Sequence, residues 1–138
     1  MVTVTAKYLG DLRVEATHNA SGVSIISDAP LDNGGLGRGF SPTDLAASSL
    51  GMCAMTIMGL FAKNHAMDLA GMSMDITKTM SQDAPRRIVE IEILFTIPNR
   101  GFTEKQKQSV ERAALTCPVH KSLHPDMNQK FTFNWVEE

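Results

Sequence analysis

A long apolar helical pattern in the middle of the chain constrains the fold more than any other feature. Ser41 and Pro42 begin it, because a serine side chain can cap free backbone N–H groups and proline suits the first helical position. The pattern ends near Lys63-Asn64-His65. One apolar stripe is expected to face a core, and it consists of Ala46, Leu50, Cys53, Ile57, Leu60 and Phe61. Because Ala47 and several methionines add apolar surface elsewhere, we expect the helix to be buried on most faces, which a chain of 138 residues achieves most readily in an intertwined dimer.

Alternating apolar and polar residues on both sides of this helix predict strands. Three strands form an N-terminal antiparallel meander, two more follow the helix, and one closes the chain; their centres are residues 2–8, 12–16, 23–25, 72–76, 89–97 and 131–135. Thr103 begins another helix, with Gln106 at the capping-box position, and Pro118 interrupts it. Residues 28–41, which contain four glycines, form a long loop. This order predicts an α+β fold with a second β/α half, in a single domain over residues 1–138.

Composition excludes several classes of protein. A formal net charge of -2 argues against a nucleic-acid binder, which would carry a strong basic excess. The apolar stretch from Leu45 to Ala62 is interrupted by Ser48, Ser49 and Thr56, so a buried helix explains it better than a membrane span. The N-terminus has no pattern of a signal peptide. We therefore expect a cytoplasmic protein without membrane or nucleic-acid partners, in which the nine methionines fill core space.

The chain has two cysteines, both in helical contexts. Cys53 lies in the central helix, and Cys117 precedes Pro118. No Cys-x-x-Cys motif is present, whereas a tetrahedral zinc site commonly has four ligands paired at short spacing. In a reducing cytoplasm a disulfide is usually transient and catalytic, so the two thiols are interpreted as a redox pair. A position at a helix end would lower the pKa of Cys117. The simpler interpretation is that each cysteine is a small buried hydrophobe.

Three segments carry a family resemblance. The helix start Ser41-Pro42-Thr43-Asp44-Leu45, the following Gly51-Met52-Cys53 and the later Thr116-Cys117-Pro118-Val119-His120-Lys121 resemble the OsmC/Ohr family, the osmotically inducible protein C and organic hydroperoxide resistance proteins. The resemblance implies an OsmC-like fold and an intertwined homodimer with two active sites at the subunit interface. It also implies thiol-dependent reduction of hydroperoxides, organic ones preferred. The reductant would be an external dithiol, often a protein-bound lipoyl group, and no haem, flavin or metal would be required.

The chemistry assigns roles to the two thiols. A thiolate attacks the O–O bond and becomes a sulfenic acid, which a second thiol converts to a disulfide. Cys53 is predicted to be the peroxidatic residue and Cys117 the resolving one. Because burial in an apolar helix disfavours a thiolate, Cys53 needs a nearby cation. The resemblance points to an arginine held by a carboxylate.

The identity of the arginine is open at this point. Arg13 lies on the second strand, where the family arginine would fall, and Arg38 lies in the glycine-rich loop close to Ser41. Relatives commonly have the carboxylate at the position of Thr43, and here Asp44 is the neighbouring candidate. Leu50, Met52 and Ile57 would line a pocket for apolar peroxides.

Three alternatives accompany this interpretation. His120 either assists proton transfer or is an ordinary interface histidine. In the second alternative the scaffold directs its thiols at a disulfide or another sulfur species. In the third it binds a hydrophobic ligand, with both cysteines in the core and no peroxidase activity.

Overall fold

The computed structural model describes all residues from 1 to 138 and has the α+β architecture that the sequence predicts. It contains two three-stranded sheets, three α-helices and one 3-10 turn. The chain forms two compact units, residues 1–46 and residues 47–138, and each is described by itself.

The first unit is the predicted antiparallel meander. Its strands are β1 (Val4–Gly10), β2 (Arg13–His18) and β3 (Ser24–Asp28), in the order β1-β2-β3. A tight turn joins β1 to β2, and Asp11 and Leu12 have positive φ angles there. The glycine-rich segment after β3 is the predicted loop, apart from one 3-10 turn at Leu31–Asn33. A Cβ atom on Gly35 would lie 1.8 Å from the carbonyl oxygen of Ala29, so only glycine fits that position.

The long helix α1 (Pro42–Asn64) begins and ends where the sequence predicts. Two reciprocal hydrogen bonds fix its start. The Asp44 amide donates to the Ser41 Oγ at 3.1 Å, and the Ser41 amide donates to the Asp44 Oδ2 at 2.9 Å. This arrangement is a capping box, and it satisfies two backbone donors that the helix itself cannot pair.

The buried face of α1 differs from the predicted stripe. The fully buried positions recur every three or four residues, at Ala47, Leu50, Gly51, Ala54, Met58 and Ala62. Met52 and Leu60 are 58% and 53% exposed. The prediction that Leu60 faces a core is therefore wrong for the single chain, and the helix is not buried on most faces. A helix with apolar residues all round gives no sequence signal for which stripe turns inward.

The second unit is a three-stranded sheet with two further helices. Its strands are β4 (Ser73–Met80), β5 (Ile88–Asn99) and β6 (Asn128–Glu137), with β4 antiparallel and β6 parallel to β5. Parallel pairing needs a long crossover, and this crossover carries α2 (Glu104–Ala114) and α3 (Pro118–Ser122). Alternate residues of β5 are completely buried: Ile91, Ile93, Phe95 and Ile97. These are the inward positions that the alternation predicts.

The predicted capping box of α2 is present, since the Gln106 amide donates to the Thr103 Oγ1 and the Thr103 amide donates to the Gln106 Oε1.

By length and composition, α1 also suits a membrane span, with one third of its apolar window buried. That is weak evidence, because the core helix of a soluble protein passes the same test.

Candidate active site

The structure brings Cys53 and Cys117 together in the second unit. The two residues are far apart in sequence, yet Cys53 lies close enough to Cys117 to raise the pKa of its thiol. Both are free thiols, Cys53 half-buried on α1 and Cys117 fully buried immediately before α3. An accessible thiol with a buried thiol against it is the arrangement that a sulfenic acid intermediate and its resolving residue require.

The protein raises the pKa of Cys117. Burial is the main cause, because it disfavours the charged thiolate, and the neighbouring Cys53 raises the pKa further. Hydrogen bonds from the backbone of His120 and Val119 act in the opposite direction. The expected lowering by a helix end is thus present but outweighed by burial. In the resting protein Cys117 is a protonated thiol.

A small network holds the Cys117 helix. Cys117 is the N-terminal cap of α3, and the His120 amide donates to its Sγ at 3.2 Å. The His120 Nδ1 lies 2.6 Å from the Gln129 Oε1, and the Gln129 Nε2 donates to the His120 carbonyl oxygen at 3.2 Å. His120 therefore contacts Cys117 through its backbone, while its imidazole is held by a residue of β6.

Arg38 is held by carboxylates in the first unit. Its Nε donates to the Asp28 Oδ2 at 2.7 Å, its Nη2 to the Asp28 Oδ1 at 3.3 Å, and its backbone amide to the same carboxylate at 3.0 Å. Asp11 supplies a second ion pair at 3.3 Å. These bonds lower the pKa of Asp28 to about 2. Arg38 therefore closes the glycine-rich loop onto the end of β3.

Arg13 has a different environment on β2. Its Nε is buried and has no hydrogen-bond partner. A buried guanidinium donor without a partner is uncommon, because leaving it unpaired costs free energy. Arg13 therefore has a donor to offer to an anion.

Asp44 lies in the first turn of α1. One of its carboxylate oxygens accepts the hydrogen bond from the Ser41 amide, and the Thr43 Oγ1 lies 3.2 Å from the Ser41 Oγ. These contacts orient the Asp44 carboxylate at the positive end of a long helix. Its predicted role as the partner of an arginine stays a prediction.

The five predicted site residues thus fall into separate groups. Cys53 and Cys117 are neighbours in the second unit, whereas Arg13, Arg38 and Asp44 belong to the first unit. No group of three or more histidine, cysteine or acidic side chains could hold a metal ion.

Sequence reasoning missed two residues, Asp28 and Gln129. Asp28 ends a strand just before the glycine-rich loop that contains the arginine, which is a usable signal. Gln129 begins a strand, and nothing in its sequence context indicates a contact with His120.

Comparison with known proteins agrees with this description. Residues 34–131 match the family model described as OsmC-like protein. A crystal structure from Psychrobacter arcticus 273-4, named as a candidate osmotic stress induced and detoxification response protein, is 46% identical. The match covers 97% of this chain and 96% of that chain, with a TM-score of 0.91.

More distant structures show the fold alone. An OsmC-like protein from Mycoplasma pneumoniae is 21% identical over 97% of this chain and 94% of that chain, with a TM-score of 0.76. An organic hydroperoxide resistance protein from Elizabethkingia anophelis is 18% identical over 99% of this chain and 98% of that chain, with a TM-score of 0.74. A search of the curated proteins finds no match. The family match and the shared fold together establish that this chain belongs to the OsmC-like protein family.

Proposed function

We propose that the protein reduces organic hydroperoxides through a two-cysteine cycle and so contributes to oxidative-stress defence. The proximity of the Cys53 and Cys117 thiols carries the proposal, because the chemistry needs a second thiol close to the one that reacts first. Family membership and the fold shared with organic hydroperoxide resistance proteins support it.

The first step takes place at Cys53. Its thiolate attacks one oxygen of the hydroperoxide, the O–O bond breaks, and the alkoxide leaves and takes a proton to become an alcohol. Cys53 is oxidised to a sulfenic acid, and the peroxide is reduced by the same two electrons. Cys53 is half-buried on α1, so the residue is not sealed inside the core as Cys117 is.

The second step uses Cys117. Its sulfur attacks the Cys53 sulfur, an S–S bond forms, and the hydroxide of the sulfenic acid leaves as water with the Cys117 proton. An external dithiol, such as a lipoyl group carried by a partner protein, then reduces the disulfide and is itself oxidised. No bound cofactor takes part in this cycle.

We assign Arg13, and not Arg38, as the arginine that stabilises the Cys53 thiolate and the bound peroxide. Arg38 is occupied by Asp28 and Asp11, whereas the Arg13 Nε is buried without a partner. Asp44 is proposed to orient the arginine from the first turn of α1. Arg13→Gln should slow sulfenic acid formation strongly. Arg38→Gln should mainly loosen the loop and lower the free energy of unfolding. Urea denaturation measures that loss separately from the rate of sulfenic acid formation.

We propose that the working form is a cytoplasmic homodimer. The outer face of α1 carries Met52 and Leu60, both more than half exposed in the single chain. A second copy that covers this face would complete an apolar pocket beside Cys53, with Met52 and Ile57 in its lining. Leu50, predicted to be a third lining residue, is completely buried in the core of the chain and cannot serve there. Light scattering should give the dimer mass, and Leu60→Asp should shift it towards the monomer, while Lys63→Asp, at an exposed position on the same helix, serves as the control.

The decisive experiment counts thiols after one equivalent of cumene hydroperoxide. The wild type should lose both thiols rapidly, Cys117→Ser should retain a trappable sulfenic acid at Cys53, and Cys53→Ser should not react. Full turnover by Cys53→Ser would contradict the assignment. Retention of both thiols in the wild type would favour a protein that binds a hydrophobic ligand, and reaction with disulfides but not with peroxide would favour a different thiol enzyme.

A further inference from the structure

The bonds around His120 extend from Cys117 to β6. The imidazole and the backbone carbonyl of His120 both bind the Gln129 side chain, while the His120 amide binds the Cys117 sulfur. The His120 ring also packs against Phe131, with ring centroids 5.5 Å apart. One polar side chain of β6 is therefore connected to the sulfur of Cys117 through a single intervening residue.

The side-chain amide group of Gln129 also fixes the tautomer of His120. Its NH₂ group donates to the His120 carbonyl oxygen, so its own oxygen faces the imidazole and acts as acceptor. The His120 Nδ1 must then carry a hydrogen, and the Nε2 keeps its lone pair while the ring is neutral.

The helix that begins at Cys117 needs such support. It has only five residues, and none of its residues is buried. A helix of this length is marginal by itself, because the cost of forming its first turn is not recovered by further turns. Gln129 is half-buried on the face of β6 that also carries Phe131, so it holds α3 from a strand that is part of the sheet.

We propose that Gln129 is a positioning residue for the resolving step: its double hydrogen bond to His120 holds α3 so that the Cys117 sulfur points at Cys53. The inference rests on the proposed function for its peroxide chemistry. The attack by Cys117 on an oxidised Cys53 can nevertheless be measured without peroxide. A misplaced attacking group is slow, and a displacement of about 1 Å costs on the order of a hundredfold in rate.

The experiment uses 4,4′-dithiodipyridine and the variants Gln129→Leu and Gln129→Glu. The Cys53 thiolate attacks the reagent and releases one thiopyridone. Cys117 then attacks the Cys53 sulfur, the intramolecular disulfide forms, and a second thiopyridone leaves. The two releases are followed as separate phases by absorbance. Asn134→Leu, an exposed position on the same strand, is the matched control.

Gln129→Leu should leave the first phase within about twofold of the wild type and slow the second at least about tenfold. Gln129→Glu keeps an acceptor for the imidazole, so it should recover part of the second phase. ¹⁵N spectra of the imidazole should show the Nδ1–H tautomer in the wild type and lose it in Gln129→Leu, which a general loss of stability would not produce. The rate of disulfide formation after cumene hydroperoxide, followed by trapping the remaining sulfenic acid, should rank the wild type, Gln129→Glu and Gln129→Leu in the same order.

Several outcomes would overturn the inference. An unchanged second phase in a folded Gln129→Leu would show that Gln129 does not position Cys117, and equal slowing of both phases would point to a general structural role. If Gln129→Leu does not fold, Gln129→Glu provides the test. A wild-type rate of the second phase in Gln129→Glu, together with a changed tautomer of His120, would also reject the inference. Failure of the wild type to react with peroxide, with normal closure by the pyridine reagent, would refute the proposed function and leave the role of Gln129 intact.

Discussion

The two capping boxes of this protein offer a matched test of how burial changes the value of one hydrogen bond. Ser41 begins α1 and is 1% exposed, whereas Thr103 begins α2 and is exposed to solvent. In each case the hydroxyl oxygen accepts from the backbone amide three residues later, at 3.1 Å in both boxes. Replacing either residue by alanine removes the same kind of bond, but water can take its place only at Thr103.

The expected costs follow from this difference. Loss of a helix N-cap costs about 1 kcal/mol, within a range of about 0.5–2 kcal/mol. That is the whole effect expected for Thr103→Ala. At Ser41 the Asp44 amide and the Thr43 hydroxyl, both half-buried, also lose a partner beside a buried side chain, which adds about 1–3 kcal/mol. Ser41→Ala should therefore cost about 2–4 kcal/mol, a large share of the roughly 5–15 kcal/mol that stabilises a typical domain.

Urea denaturation followed by circular dichroism measures both free energies of unfolding. All proteins are compared at one protomer concentration, because association would make stability depend on concentration. Ser41→Thr and Thr103→Ser keep a hydroxyl and serve as controls. Equal losses for the two alanine variants, within about 0.5 kcal/mol, would refute the reasoning. Such a result would mean that solvent or another group reaches the Asp44 amide when Ser41 is truncated.

Four further predictions concern the thiol pair and the loop. A Cys53–Cys117 disulfide closes a loop of about 64 residues, so the oxidised protein should be more stable than the reduced one by up to about 4 kcal/mol in urea denaturation, and a destabilised oxidised form would contradict this. Because burial raises the pKa of Cys117 above 9.0, the reduced protein should lose stability as the pH rises above about 9, and Cys117→Ser should lack that loss. Because Arg38 lowers the pKa of Asp28 to about 2, their ion pair stabilises the fold fully above about pH 4 and less as the pH falls towards 2, and Asp28→Asn should remove this part of the acid sensitivity. Gly35→Ala should lower the melting temperature, because the added Cβ atom forces the loop away from the Ala29 carbonyl.

Features that depend on neighbouring residues could be predicted from the sequence. Both capping boxes are of this kind, since the cap and its partner are three positions apart, as Ser41 and Asp44 are. The buried alternation of β5 is another, because one face of that strand is apolar and the other polar. Local chemistry alone decides these cases.

Several features that depend on distant partners could not be predicted from the residues alone. The inward face of α1 was ambiguous, because a helix with apolar residues all round fits a core in more than one orientation. The proposal of Arg13 over Arg38 depends on the position of Asp28 at the end of β3, where the loop folds back and Arg38 binds it. The bond between His120 and Gln129 depends on the crossover that brings α3 against β6, and no spacing rule describes such a contact.

The parallel pairing of β5 with β6 also delays the positioning of the Cys117 thiol during synthesis, because β6 is the last strand of the chain. Cys53 leaves the ribosome early, whereas the Cys117 helix is held in place only after Gln129 on β6 has been made and paired. At about 5–20 residues per second, the intervening stretch of about 75 residues takes roughly 4–15 seconds to make. For that time a nascent chain carries Cys53 without a positioned thiol partner. Under the proposed cycle, an oxidant that reaches Cys53 then would form a sulfenic acid that no neighbouring thiol can convert to a disulfide.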